Sequence, residues 1–131
     1  MTPSLKPLPT LKRRPEFLAL RQAPRFNCDD FILQGNLSGC EKGFPRIGYT
    51  VTKKIGNSVE RNRIRRRLRQ AIATAMQNKL ESLASNPSHR SLCGEMVVVA
   101  RRSAMDESFL SLVSKFTKGI DRLAAKGNKA S

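Results

Sequence analysis

Residues 50–76 read TVTKKIGNSVERNRIRRRLRQAIATAM, and two periodicities meet in them. On the upstream side, from Arg46 to Thr52, apolar and polar residues alternate. Ile47, Tyr49 and Val51 point one way and Gly48, Thr50 and Thr52 the other, which predicts a half-buried strand. Lys53-Lys54-Ile55-Gly56 is a short connection. Beyond it Ile64, Leu68, Ala71, Ile72, Ala75 and Met76 recur at helical spacing. Asn57 is a good N-cap, and Glu60 stands three residues on, the spacing of a capping box. The reading is a strand, a tight connection and a helix running to about Leu83.

That helix carries an unusual polar face. With Ile64 at zero and about 100° per residue, Leu68 falls at about 40° and Ala71 at about 340°. Asn62, Arg66 and Arg63 lie opposite, at about 160°, 200° and 260°, and Arg65 and Arg67 flank the stripe at about 100° and 300°. From Arg46 to Gln70 there are nine basic residues (Arg46, Lys53, Lys54, Arg61, Arg63, Arg65, Arg66, Arg67, Arg69) and one acid, Glu60, a net +8. Solvated helix faces mix signs, because like charges one turn apart repel. A face of one sign is an electrostatic footprint. Guanidinium groups fork onto phosphate and stack on bases, and Lys53, Lys54 and Gly56 adjoin a helix N-terminus that favours an anion.

Working outward, Pro15 to Arg21 reads as a short helix, with Pro15 at its first position and Pro24 beyond its end. Phe26 to Leu37 reads as one or two strands, with Phe31 and Leu33 on one face. Asn36 to Pro45 is rich in Gly and reads as a loop. Ser85 to Ser88 closes the long helix. Glu95 to Ala100, with three consecutive valines, reads as a buried strand. Asp106-Glu107-Ser108 opens a last helix with Phe109, Leu112, Val113, Phe116, Ile120 and Leu123 on one face. Lys126 to Ser131 is a small polar tail. The order is an α+β sandwich with helices packed on a small sheet.

Composition agrees with one domain and an anionic partner. The 131 residues carry 25 Lys+Arg against 10 Asp+Glu, net +15, and are 39% hydrophobic. That is enough for a core and too much for a disordered basic tail. Such a charge points to a polyanion, nucleic acid before membrane. Pro3, Pro7 and Pro9 interrupt any signal-peptide core. The longest apolar run, Met96 to Ala100, is too short to span a bilayer. A cytoplasmic chain is the expectation. Cys28, Cys40 and Cys93 are widely spaced, and His89 is the sole histidine. They form no zinc pattern, and three reduced cysteines are expected. The acids are few and dispersed, and no Ser-His-Asp or paired-carboxylate arrangement is suggested.

Thr50 to Arg66, with Arg61-Asn62-Arg63 at its centre, resembles the signature of the bacterial ribonuclease P protein subunit. The resemblance extends upstream to Leu11-Lys12-Arg13-Arg14-Pro15-Glu16-Phe17 and downstream to Met96-Val97-Val98-Val99-Ala100-Arg101-Arg102. It implies an α-β-β-β-α-β-α fold with a left-handed β-α-β crossover, like the second domain of a small-subunit ribosomal protein. It implies a single RNA-binding domain over residues 11–123, a flexible lead-in at 1–10 and a flexible tail at 124–131.

The same resemblance implies a function. The protein would join a catalytic RNA subunit and bind the 5′ leader of precursor tRNA, promoting its endonucleolytic removal. Chemistry and Mg2+ would belong to the RNA and substrate, not to a protein site. No membrane and no obligate protein partner are expected. The RNA-binding set implied is Lys53, Lys54, Asn57, Arg61, Asn62, Arg63, Arg65, Arg66 and Arg69. The leader cleft implied is Arg13, Arg14, Phe17, Arg21, Thr50 and Thr52. Phe17 is equally readable as a core residue beside Leu18 and Leu20. Arg21 and Gln34 stand where many members carry aromatics, so stacking in the cleft would lean on the Arg21 guanidinium. Tyr49 reads as core by alternation. Arg101 and Arg102 are candidates to extend the docking surface. The competing readings are a general RNA-binding protein, such as a ribosomal protein or RNA chaperone, and a DNA-binding protein. Neither accounts for the string from Lys53 to Arg66, and the helix lacks a helix-turn-helix partner.

Overall fold

A computed structural model of the chain describes residue 20 and residues 22–40, 45–83 and 91–129. Four strands form one sheet: β1 (Arg25–Asn27), β2 (Phe31–Cys40), β3 (Arg46–Thr50) and β4 (Ser91–Ala100). Their order across the sheet is β1-β2-β4-β3. β2 pairs antiparallel with β1 and β4, whereas β3 lies parallel to β4. Parallel neighbours require a crossover. The arginine helix (Ser58–Leu83) supplies it, reached from β3 through a 3-10 turn at Lys53–Ile55. A second 3-10 turn (Arg102–Met105) leads into the C-terminal helix (Phe109–Lys129). The architecture is α+β, with a small mixed sheet and both helices in contact with it and with each other.

The core lies between the helices and one face of the sheet. Phe31, Leu33, Leu37, Ile47, Met96 and Val98 meet Ile64, Leu68, Ile72 and Met76 of the arginine helix and Leu112, Phe116, Ile120 and Leu123 of the C-terminal helix. Phe31 and Phe116 stack with ring centroids 4.0 Å apart. Val97 and Val99 belong to the other face, where they pack with Leu20 and Ala23. The three-valine run is thus covered on both sides, as a central strand requires.

Several expectations change. Asn36 to Pro45 is not all loop, because β2 continues to Cys40 and β4 begins at Ser91 rather than Glu95. Gly, Asn and Ser are poor strand formers, but each residue from Gly35 to Cys40 has a partner in β4. The glycines serve close backbone approach. A Cβ on Gly35 would stand 2.1 Å from the Glu95 carbonyl oxygen, and Gly94, at φ +134°, would meet the Asn36 carbonyl oxygen at 1.9 Å. β3 ends at Thr50, two residues short of Thr52, where the 3-10 turn takes over. The C-terminal helix continues to Lys129, past the boundary at 123; buried Ala124 extends its apolar face. Phe109, expected on that face, is 38% exposed. It is the first residue of the helix, and the face reaches the core only at Leu112.

Cys93 is disulfide-bonded and Cys28 is free, so the expectation of three reduced cysteines fails at Cys93. Separation along the chain does not measure distance across an antiparallel ladder, where Cys93 stands opposite Ser38. The expected first helix, the lead-in at 1–10, the segment 85–88 and His89 lie outside the described residues. Among the described residues, no helix is long and apolar enough to cross a membrane.

Candidate nucleic-acid interface

The arginine helix starts as its sequence dictates. The Asn57 N–H donates to Glu60 Oε1 at 3.1 Å, and the Glu60 N–H donates to Asn57 Oδ1 at 2.8 Å. This reciprocal cap satisfies N–H groups the helix leaves unpaired. The Asn57 backbone donor first, and Arg102 second, hold the Glu60 carboxyl below the usual carboxylate range. The cap therefore stays ionised and closed, with Lys53 and Lys54 just ahead of the positive end of the helix dipole.

Burial of Ile64 and Leu68 turns the opposite face outward. Lys53, Lys54, Asn57, Asn62, Arg63, Arg66 and Arg69 are exposed, and Arg61 and Arg65 are half-buried. Arg65 Nη1 donates to Asn62 Oδ1 at 3.0 Å. The Arg69 guanidinium sits over the Tyr49 ring, 5.4 Å from its centroid. Asn62, Arg65, Arg66, Arg69 and Gln70 line an open concavity. Among the described residues, no carboxylate pairs with Lys53, Lys54, Arg61, Arg63, Arg65, Arg66 or Arg69. Such a surface lacks its own counter-charge, and a phosphate backbone supplies one.

Not every arginine of the run faces outward. Arg67 Nε donates to the Ala104 carbonyl oxygen at 3.2 Å, and Nη2 donates to that of Glu107. Arg67 thus anchors the helix to the second 3-10 turn. Arg61 lies about 60° from Ile64, at the edge of the apolar stripe, and its Nε is buried without a partner. Arg102 folds back onto the connection before the helix, with Nη1 on the Ile55 carbonyl oxygen and Nη2 on Glu60 Oε2 at 3.0 Å, although its side chain stays more than half exposed. Arg101 remains exposed.

The leader-cleft set is only partly described. Thr50 is half-buried and Thr52 exposed. In register Thr50 pairs with Val99 and Gly48 with Val97, which places Thr50 on the sheet face that Leu20 covers. Arg13, Arg14, Phe17 and Arg21 lie outside the described residues. Gln34 Nε2 donates to the Ala23 carbonyl oxygen at 3.1 Å and so ties the segment before β1 to the sheet. Tyr49 packs against the core. Burial pushes its hydroxyl up to about 12, against the opposing charge of Arg69.

The sequence reading missed two residues on the cationic face. Gln70 lies at about 240° on the helical wheel, beside Arg66, and that angle would have found it. Val59, at about 220°, is 75% exposed in the middle of the cations. No polarity signal marks it.

Comparison with known proteins agrees with this geometry. Residues 5–124 match the family described as Ribonuclease P. The chain is 33% identical to the ribonuclease P protein component of Brucella suis, over 98% of this chain and 86% of that one. It is 30% identical to that of Bartonella quintana, over 84% and 79%. Its fold is similar to that of the Staphylococcus aureus RNase P protein, with TM-score 0.57 and 20% identity over 86% of this chain and 92% of that one. The Thermotoga maritima RNase P protein gives TM-score 0.55 and 18% identity over 83% and 92%. At those identities the two structures speak for the fold alone. The sequence match, however, covers nearly the whole chain, cationic helix included, and the chain therefore belongs to the bacterial ribonuclease P protein family, the protein component of that ribonucleoprotein endoribonuclease.

Proposed function

We propose that the chain binds the catalytic RNA of ribonuclease P with its arginine helix and the 5′ leader of precursor tRNA with the far face of the sheet, so promoting endonucleolytic removal of the leader. The observation that carries this reading is the single-sign face from Lys53 to Arg69, whose cations have no carboxylate partners among the described residues. Lys53, Lys54, Asn57, Arg61, Asn62, Arg63, Arg65, Arg66 and Arg69 hold RNA. Thr50 and Thr52, together with Arg13, Arg14, Phe17 and Arg21, serve the leader.

The reaction itself falls to the RNA. A protein nuclease that uses metal needs carboxylates to hold it, and among the described residues no three His, Cys, Asp or Glu side chains gather at one point. Mg2+ on this reading is bound by the RNA and substrate. The cytoplasm is the compartment where these partners meet.

Reconstitution tests the reading. The purified chain alone should cut nothing, and addition of the cognate catalytic RNA at low magnesium should restore leader removal from precursor tRNA. Cleavage by an RNA-free preparation, abolished by a chelator, would overturn the assignment of chemistry to RNA. Binding without restored cleavage would favour a general RNA-binding role.

A further inference from the structure

Arg102 follows the equally basic Arg101, and composition alone would send both to phosphate. Its guanidinium instead spans two points of the connection between β3 and the arginine helix. Nη1 donates to the carbonyl oxygen of Ile55, the last residue of the 3-10 turn that bears Lys53 and Lys54. Nη2 donates to Glu60 Oε2, on the first turn of the helix. Glu60 also accepts from the Asn57 N–H. One planar fork therefore joins the turn that carries the lysines to the cap that starts the helix.

Two further observations make this an organised contact. Gly56 lies beneath it, where a Cβ would come within 2.5 Å of Glu60 Oε1 and 3.0 Å of Arg102 Nη1. Only a residue without a side chain lets the carboxylate and guanidinium close over the backbone there. The 3-10 turn that carries Arg102 is itself fixed. Arg67 donates to the carbonyl oxygens of Ala104 and Glu107, and Ser103 Oγ donates to Asp30 Oδ1 at 2.7 Å. Yet the Arg102–Glu60 pair is too exposed, with side chains 56% and 30% accessible, to add much to global stability.

We propose that Arg102 is a positioning residue for RNA binding. It clamps the segment from Lys53 to Asn57 onto the first turn of the arginine helix, so that the two lysines and the helix N-terminus meet RNA in one arrangement. Arg102 itself does not touch phosphate. The proposal rests on the reading of this face as the RNA interface.

The clamp is tested first in the free protein. Arg102→Ala and Gly56→Ala should speed amide exchange at Ile55 and Asn57; unchanged exchange overturns the clamp whatever RNA does. Binding of the catalytic RNA is then followed across a salt series. The charge-neutral double variant Arg102→Ala/Glu60→Gln keeps a side-chain acceptor for the Asn57 N–H. It should bind about 3- to 10-fold more weakly, the scale of one or two lost hydrogen bonds, with the wild-type slope of log K on log salt. Arg102→Lys keeps the charge but not the fork, and should not restore full affinity. Wild-type affinity in the double variant, or a slope flattened by about one unit, overturns the proposal; the second result would make Arg102 a phosphate ligand. Arg66→Ala is run beside them: an unchanged slope there counts against the interface rather than the clamp. Thermal midpoints accompany each variant. Should Arg102→Ala fold poorly, Gly56→Ala, which displaces only side-chain ends, carries the test alone.

Discussion

Asp30 is buried at the turn between β1 and β2. Burial alone pushes its carboxyl up, but hydrogen bonds from Lys115 and Ser103, with the charge of Lys115, outweigh it and hold the carboxyl below the ordinary value. Lys115 is held above its own ordinary value, by Asp30 first and by Glu107 second. Because the folded carboxyl binds its proton less tightly than the unfolded one, its contribution is complete above about pH 4 and is lost as pH falls through the lower folded value. Asp30→Asn leaves Lys115 with Glu107 alone and should cost about 2 kcal/mol near pH 7, less than a fully buried pair because Lys115 is partly exposed. The difference should shrink as the pH falls below the ordinary carboxylate value. Denaturant melts of both proteins at several pH values check this, and a difference constant into acid would remove Asp30 from the account. Tyr49 offers a second titration. It is the chain's one tyrosine, and there is no tryptophan, so ultraviolet titration reads it alone. Its midpoint should lie at about 12 rather than 10.0, and the stability it confers is lost as pH rises across that interval. A midpoint near the ordinary value would mean that the ring is not buried. Strand alternation was enough to place Tyr49 against the core. Nothing local could pair Asp30 with Lys115, separated by 85 residues, because only the packed fold creates that contact.

At the scale of elements, the arginine helix was legible from end to end, since its cap, apolar stripe and length are all local signals. The strands were legible where apolar residues alternate or, as at Val97 to Val99, run together. The second half of β2 holds Gly35, Asn36, Ser38 and Gly39, which read as a turn until β4 supplies their partners. Gly35→Ala should therefore be among the most destabilising small changes in the chain, about 3 kcal/mol, because the backbone of β4 and not a flexible side chain stands in the way. Equilibrium unfolding measures it, and a loss under about 1 kcal/mol would mean that the two strands can part at that point. Within the helix, neighbouring arginines should behave oppositely. Arg67→Ala removes donors from two carbonyl oxygens, one of them on buried Ala104, and should cost about 1–2 kcal/mol of stability while leaving the salt slope of RNA binding intact. Arg66→Ala should leave stability within about 0.5 kcal/mol and flatten that slope by about one unit. The sequence shows a run of like residues. Wheel angle separates the flanks from the centre of the polar face, but only the position of the 3-10 turn at Arg102–Met105 decides that Arg67 is structural.

Over the whole molecule, the net charge of +15 is unevenly committed. Some cations are already engaged within the fold: Arg46 with Glu95 at 3.6 Å, Lys79 with Asp121, Lys115 with Asp30 and Glu107, Arg102 with Glu60, and Arg67 with backbone carbonyls. On the proposed face that leaves Lys53, Lys54, Arg61, Arg63, Arg65, Arg66 and Arg69, none paired with a carboxylate among the described residues. Their number, and not the total charge, sets the salt dependence, because each phosphate neutralised releases its condensed counterions at a coefficient of about 0.7–0.9. If all seven engage, log K for the catalytic RNA should fall with log salt at a slope of about −5 to −6. Isothermal or filter-binding titrations over a salt series give this slope directly. A slope of only about −2 to −2.7 would confine docking to Arg65, Arg66 and Arg69 of the concavity and would leave Lys53 and Lys54 free for the leader. A slope steeper than about −8 would bring in cations beyond the arginine helix, with exposed Arg101 the nearest candidate at the end of β4.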